Sequence, residues 1–150
     1  MRAFVLLFAS LSVLVVPVCL ASSPNHVKRE KPADLIKGVI KDYIEGYYEG
    51  NAERVKSALS PLLAKRFVAK TKDGVEVLKD GTAAHFIELT AALDGPKYYP
   101  AGKRKLEIKV FEIDGKIASA KAIAQDWVDY IHLCRINGKW VIVNVVWVSK

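Results

Sequence analysis

The chain reads WVDYIHLCRINGKWVIVNVVW from Trp127 to Trp147. Two apolar runs flank Asn137-Gly138, a dipeptide typical of a two-residue hairpin turn. Such a turn fixes the register, so Ile136 is predicted to pair with Lys139. Side chains alternate between the two faces of a strand. One predicted face carries Trp127, Asp129, Ile131, Leu133, Trp140, Ile142, Asn144 and Val146, and the other carries Val128, Tyr130, His132, Cys134, Val141, Val143, Val145 and Trp147.

Two further strands are predicted before this hairpin. Lys105–Ile113 alternates charged and apolar residues, Asp114-Gly115 is a turn, and Lys116–Gln125 returns with alanines on one face. A short strand is also predicted at Val75–Leu78. The sequence therefore predicts an antiparallel sheet of four to five strands in the second half of the chain.

The first half of the chain has helical periodicity. Pro32 suits a first helical turn, and apolar residues recur at three- and four-residue spacing from Leu35 to Tyr48. Gly50 is placed to end that helix. Further boundaries are predicted as follows: Asn51 caps a second helix over Ala52 to Leu59, Ser60-Pro61 breaks it, and Asp80 caps a third helix that runs to about Leu93. Helices followed by a meandering sheet indicate the α+β class, with the helices on one face of the sheet.

The N-terminus has the order of a secretory signal peptide. A basic start at Arg2 precedes an apolar run that ends in small residues, with cleavage after Ala21 or after Ser23. We therefore expect a signal peptide over residues 1–21, a disordered leader over 22–31 and one domain over 32–150. The protein would be exported, to the periplasm or the medium, with no stable membrane insertion after cleavage. An uncleaved anchor helix is the alternative reading of the same run.

The chain has 150 residues and a formal net charge of +7. Its basic clusters lie beside turn signals, which favours solvated loop charge over binding to an anionic partner. No nucleic-acid-reading motif is present, so we expect no nucleic-acid partner. The three histidines have no ligand-like spacing with each other or with Cys134. The sequence therefore predicts no metal site and no cofactor.

Two segments resemble a known group of proteins. They are YIEG…GN, from Tyr43 to Asn51, and the DYI…NGKWVIVN part of the terminal hairpin. With the order of elements, they are similar to the nuclear transport factor 2-like superfamily, which includes SnoaL-like enzymes and ketosteroid isomerase. Within it, the chain most resembles the putative lumazine-binding family of small bacterial proteins. The resemblance covers roughly Leu35 to Trp147 and implies a curved, cone-shaped sheet whose concave face is covered by the three helices.

The resemblance also implies that the face with Trp127 and Trp140 is the concave one. Asp129 and Asn144 would then be its polar groups, close enough to share a ligand. Aromatic and polar side chains from the helices would complete an apolar pocket of the kind that binds small molecules. The predicted ligand-binding residues are Asp129, Asn144, Tyr43, Tyr47, Trp127, Trp140 and His85.

These residues leave three hypotheses open. The first is an exported, non-enzymatic protein that binds a small aromatic or heterocyclic molecule. The second is an isomerase, dehydratase or cyclase with Asp129 as general base and His85 or a tyrosine as a polarising donor. The third is an interaction module whose pocket is filled by its own side chains. In each case the apolar stripe of Val141, Val143, Val145 and Trp147 predicts a homodimer joined sheet to sheet.

Overall fold

A computed structural model describes residues 30–150. The predicted signal peptide, and all of the predicted leader except its last two residues, lie outside the described residues. No helix within residues 30–150 combines the length and apolar character that a membrane crossing requires.

The described chain forms helices first and a sheet afterwards, apart from one early β-hairpin. The elements are α1 Pro32–Glu49, α2 Ala52–Ala58, β1 Leu59–Lys70, β2 Glu76–Thr82, α3 Ala83–Ala92, α4 Gly95–Tyr98, a 3-10 turn Ala101–Lys103, β3 Leu106–Asp114, β4 Ile117–Ala124, β5 Trp127–Ile136 and β6 Lys139–Ser149. The predicted α+β class, with helices packed against one face of a curved sheet, is confirmed.

The first helix begins and ends where the sequence predicts. Pro32 occupies the first turn, and Gly50 ends α1 in the left-handed region at φ 67°. Asn51 then caps α2 by accepting a hydrogen bond from the backbone N–H of Arg54 at 3.0 Å. One face of α1 is buried in the core, with Ile36 and Ile40 fully inaccessible to solvent. This packing fixes the direction in which the tyrosines of α1 point.

The sheet has six strands in the order β2-β1-β6-β5-β4-β3. Neighbouring strands are antiparallel, except that β1 runs parallel to β6. The core lies between the helices and the concave face of the sheet. On β4 the alanines from Ala118 to Ala124 face this core, as the alternation predicts.

The predicted number of strands is wrong because the sequence predicts only a helix break at Ser60-Pro61, where β1 begins. Ser60-Pro61 does end α2, yet the chain continues directly into a strand. Pro61 lies in an irregular part of the β1–β6 ladder, where the register shifts between Leu59 and Ala64. A proline is tolerated in a strand at such an irregularity, because no ladder hydrogen bond needs its missing N–H.

The third predicted helix begins later than expected. Residues up to Thr82 belong to β2, and Thr82, not Asp80, caps α3. The Thr82 hydroxyl accepts a hydrogen bond from the backbone N–H of His85 at 3.2 Å. The helix therefore starts at Ala83 and presents His85 and Phe86 in its first turn.

The predicted faces are wrong beyond Ile142, because β6 contains a bulge. Leu133 pairs with Ile142, but the preceding residue of β5, His132, pairs with Asn144. Val143 is therefore an extra residue, and a bulge of this kind shifts every later side chain by one position. Asn144 and Val146 move to the convex face. Val145 and Trp147, predicted for the convex face, lie on the concave side, where Val145 is fully buried.

Candidate functional site

A cavity of about 640 Å³ opens between the helices and one end of the concave face. Helices α1 and α3 form one wall, strands β1, β5 and β6 form the floor, and β2 forms part of the rim. Its lining residues are Tyr43, Tyr47, Lys65, Phe67, Ala69, Lys79, Asp80, Gly81, Thr82, His85, Phe86, Leu89, Tyr99, Asp126, Trp127, Trp147 and Ser149. The volume lies in the range of small-molecule sites, which run from roughly 300 to 1,000 Å³.

Seven aromatic residues contribute to the cavity wall. Tyr47 stacks on Phe86 with centroids 5.2 Å apart and an interplanar angle of 17°. The ring of Trp127 meets Tyr47 edge to face at 5.6 Å. Rings that pack on one another are held rigid, because stacked and edge-on pairs stabilise specific orientations. The cavity is therefore suited to a flat, apolar or heteroaromatic body.

Lys65 on β1 places an ammonium group inside this aromatic wall. Its Nζ lies 5.0 Å from the ring centroid of Trp147 and 5.2 Å from that of Phe86. It also donates a hydrogen bond to the hydroxyl oxygen of Tyr43 at 2.6 Å. Only 11% of the Lys65 side chain is exposed. The negative faces of the rings and the Tyr43 oxygen thus replace part of the water that this cation loses.

Asp129 on β5 lies directly behind Lys65 and is fully buried. Its Oδ1 accepts from Lys65 Nζ at 3.3 Å, and its Oδ2 accepts from the indole N–H of Trp127 at 2.8 Å. Asp129 does not line the cavity. It acts on the cavity through the two side chains it binds, because it fixes both the ammonium and the indole.

Burial shifts the pKa values of this group toward the neutral forms. It raises the pKa of Asp129, although the charge of Lys65 and a hydrogen bond from Trp127 oppose that shift. Burial also lowers the pKa of Lys65, against the attraction of Asp129. The pKa of the Tyr43 hydroxyl is raised by burial and by the nearby carboxylate. Burial thus brings the pKa values of the lysine and the carboxylate closer together, and the attraction between their charges opposes this change.

Two further tyrosines keep their protons at neutral pH. Burial raises the pKa of Tyr47, and burial and neighbouring groups raise the pKa of Tyr99 to about 12. Both rings line the cavity. Their hydroxyls remain neutral, and the hydrogen bond between them leaves one O–H donor for a ligand.

Residues 31–148 match the model of the family described as "Putative lumazine-binding". The chain belongs to this family. Membership of this family, together with the fold, supports a ligand-binding domain. No curated protein matches the chain.

Solved structures show the same fold at low sequence identity. A nuclear transport factor 2-like protein of unknown function from Shewanella baltica OS155 is 20% identical, with a TM-score of 0.65 over 79% of this chain and 93% of that one. Another, from Silicibacter pomeroyi DSS-3, is 12% identical, with a TM-score of 0.59 over 79% and 95%. A third, from Methylobacillus flagellatus KT, is 21% identical, with a TM-score of 0.52 over 79% and 91%.

In this member of the "Putative lumazine-binding" family, the structure brings together four of the seven predicted site residues at the cavity. These are Tyr43, Tyr47, Trp127 and His85. Asp129 is buried behind the cavity lining, next to Lys65. Trp140 is buried and outside the lining. Asn144 lies on the other face, where it bonds to Arg66 at 3.2 Å and to the ring of His132.

Sequence reasoning missed Lys65 as a site residue. It belongs to a basic cluster with Arg66, Lys70 and Lys72, which the neighbouring turn signal indicates to be loop charge. The signal is the period-two run of Leu63, Lys65 and Phe67, which places a lysine on the apolar face of a strand. Trp147 was missed for a different reason, since the bulge at Val143 reverses its predicted face.

Within residues 30–150, no group of three or more His, Cys, Asp or Glu side chains is placed to hold a metal ion. Besides its aromatic rings, tyrosine hydroxyls and the Lys65–Asp129 pair behind its wall, the cavity also presents the polar side chains of His85, Lys79, Asp80 and Asp126.

Proposed function

We propose that this protein binds a planar heterocyclic molecule of the lumazine type in the aromatic cavity. The observation that carries the proposal is the position of Lys65, whose ammonium is held among aromatic rings at the cavity wall. Lumazine is a flat two-ring heterocycle with carbonyl and N–H groups. Its rings suit the stacked walls, and its carbonyl oxygens suit a cationic donor.

The donors of Lys65 leave room for such a ligand. An ammonium group has three N–H donors. One is used by Tyr43 and one by Asp129. The third is available to a carbonyl oxygen that enters the cavity, and a hydrogen bond from a charged donor is stronger than one between neutral groups.

The position of Asp129 supports binding without catalysis. A general base must reach the proton that it removes, directly or through one water molecule. Asp129 is fully buried, and both of its oxygens already accept hydrogen bonds from Lys65 and Trp127. The carboxylate predicted as general base thus faces Lys65 and Trp127 and does not contact the cavity directly.

Export and dimerisation belong to the same proposal. The signal-peptide pattern of residues 1–21 supports delivery to the periplasm or the medium. The convex face carries exposed apolar side chains, including Val68, Tyr130 and Val146, which support a sheet-to-sheet homodimer. The residues of this proposed interface differ from the predicted stripe, since Val145 and Trp147 face the other way.

The test is a titration of the mature protein with lumazine, followed by quenching of tryptophan fluorescence. Trp127 and Trp147 line the cavity, so we expect saturable quenching. Phe86→Ala removes the ring that stacks on Tyr47. We expect it to weaken binding about tenfold, the equivalent of one stacking contact of roughly 1.4 kcal/mol.

Phe111→Ala is the matched control. Phe111 lies outside the cavity lining and stacks on Tyr130 of the convex face, with centroids 6.3 Å apart. We expect lumazine to bind this variant as it binds the unmodified protein. Lumazine that fails to quench, or equal losses in the two phenylalanine variants, would contradict the proposal.

A further inference from the structure

We infer that Lys65 captures aromatic or conjugated aldehydes as a reversible protonated imine, with Tyr43 and Asp129 handling the protons. The inference goes beyond the proposed function, because it makes the cavity react with a carbonyl compound as well as bind a flat ring. It uses the same cavity and requires an aldehyde group that lumazine lacks.

The first observation is the placement of the amine. Lys65 Nζ is at the cavity wall and is surrounded by the rings of Tyr43, Phe86 and Trp147, at 5.3, 5.2 and 5.0 Å. An aromatic aldehyde that stacks on these rings brings its carbonyl carbon next to the nitrogen. Positioning of this kind converts a reaction between two molecules into one within a single complex.

The second observation is the partner that removes the proton. An ammonium is not a nucleophile, so one proton must leave before the nitrogen attacks. Asp129 Oδ1 lies 3.3 Å from Nζ, and Tyr43 Oη lies 2.6 Å from it. Transfer of a proton from Lys65 to Asp129 leaves two neutral groups in a buried site, which removes the cost of desolvating both charges. Burial lowers the pKa of Lys65 and raises that of Asp129, in the same sense.

The step balances without any other reactant. Neutral Lys65 forms a C–N bond to the aldehyde carbon, and one amine proton passes to the carbonyl oxygen through the Tyr43 hydroxyl. The product is a carbinolamine. The proton held by Asp129 then returns to the carbinolamine nitrogen, which is the atom that Asp129 reaches. The Tyr43 hydroxyl relays a proton from this nitrogen to the carbinolamine hydroxyl group, the C–O bond breaks, and water leaves. The result is a protonated imine beside a carboxylate, so the charge is the same before and after the reaction.

The site also suits the product. The iminium carries the positive charge that the ammonium carried, and Asp129 remains its counter-ion. Trp127 holds the other oxygen of Asp129 at 2.8 Å, so the carboxylate stays in place as the imine forms. The surrounding rings face the extended π-system of an aromatic imine, as they face the ammonium before reaction.

The experiment treats the mature protein with 2-naphthaldehyde and sodium cyanoborohydride at neutral pH. Cyanoborohydride reduces an imine to a stable secondary amine, which intact mass and peptide mapping then locate. We expect Lys65 to be labelled about tenfold faster than Lys79, since a buried, desolvated lysine is the more nucleophilic one at neutral pH. Lys79 lines the same cavity and is the matched internal control.

Two variants separate the parts of the inference. Lys65→Arg keeps a cation beside Asp129 but cannot form an imine, so the fast adduct should disappear. Tyr43→Phe keeps the ring and removes the hydroxyl, so the adduct at Lys65 should form at least several-fold more slowly. Thermal unfolding of each variant shows that it is folded.

Equal labelling of Lys65 and Lys79 in the unmodified protein would overturn the inference, and an unchanged rate in Tyr43→Phe would overturn the role of the hydroxyl. Lumazine quenching is measured on the same samples. Quenching without a fast adduct refutes the inference and leaves the proposed function standing. A fast adduct without quenching refutes the proposed function and leaves the inference standing.

Discussion

At the scale of single residues, the site depends on a pair of charges that would be unfavourable if either stood alone. Lys65 and Asp129 are separated by 64 positions in the sequence and meet at 3.3 Å under a layer of aromatic rings. Burying an ion pair costs desolvation energy on both sides, and the attraction between the charges offsets this only when the geometry is good. If one partner is removed, the other keeps its full desolvation cost without the compensating attraction.

The first prediction concerns Lys65→Met, which leaves the Asp129 carboxylate buried without its cation. We expect the free energy of unfolding at pH 7 to fall by about 3 kcal/mol. Burial already raises the pKa of Asp129, and losing Lys65 raises it further. An acid whose pKa is higher in the folded state than in the unfolded state stabilises folding as it becomes protonated. The loss in free energy of unfolding caused by Lys65→Met should therefore become smaller as the pH falls from about 7 to about 5.

Urea unfolding at several pH values measures this effect. The control is the double variant Lys65→Met with Asp129→Asn, in which no carboxylate remains to be protonated at this position. The difference in free energy of unfolding between this double variant and the unmodified protein should change much less between about pH 7 and about pH 5. A Lys65→Met deficit that stays constant from about pH 7 to about pH 5 would show that Asp129 is not the titrating group.

At the scale of elements, one inserted residue determines which side chains line the cavity. The turn at Asn137-Gly138 has the register that the sequence predicts, and pairing holds as far as Leu133 and Ile142. Val143 then forms a bulge, so each later residue of β6 points to the face opposite the predicted one. The sequence predicts the turn because Asn-Gly is a strong local signal. It does not show the bulge, because the residues around Val143 are apolar in either register.

The cost of burying polar groups distinguishes the two possible registers of β6, which hydrophobic periodicity cannot do. Without the bulge, Asn144 would point into the core in place of Val145, and an amide buried without partners is costly. With the bulge, Val145 is fully buried and Asn144 bonds to Arg66 on the convex face.

The helices and the last four strands could be predicted from local patterns. Strand β1 is harder to predict, because Ser60-Pro61 is a helix-ending signal. The period-two run of Leu63, Lys65 and Phe67 is too short to outweigh that signal, and the irregular pairing with β6 has no signature in the local sequence.

A pair of single-residue deletions tests the role of the bulge. Deleting Val143 leaves a regular ladder in which Asn144 and Val145 keep their present faces. Deleting Val145 lets the strand regularise only by turning Asn144 into the core. We expect the second deletion to lower the free energy of unfolding by about 2 kcal/mol more than the first, the approximate cost of an unpaired buried amide. Urea midpoints measure the difference, and an equal or reversed order would contradict the assigned register.

At the scale of the whole molecule, the two faces of one sheet present different surfaces. The concave face is covered by helices except where the aromatic cavity opens. The convex face has no helix over it within residues 30–150, and it exposes large apolar side chains. These are Val68, Leu78, Phe111, Ile117, Tyr130, Val146 and Val148. An exposed apolar surface spread over several strands is typical of an interface between proteins.

The final prediction is that this convex face joins two copies of the protein. Tyr130 and Val146 are paired across β5 and β6, near the middle of the sheet, and each is about half exposed. In sedimentation equilibrium at micromolar concentration, we expect the unmodified protein to be a dimer. Val146→Lys should weaken dimerisation about a hundredfold, because burying an unpaired charge in an apolar interface costs about 3 kcal/mol.

Tyr98→Lys is the control for this experiment. Tyr98 is 60% exposed, but it belongs to α4, which packs on α1 on the helical side of the sheet. The same change in charge at this position should leave the dimer intact, so a loss specific to Val146→Lys locates the interface on the convex face. Because the cavity lies on the opposite face, lumazine quenching should be the same in both variants. An unmodified protein that sediments as a monomer would instead leave the apolar convex face without the partner proposed for it.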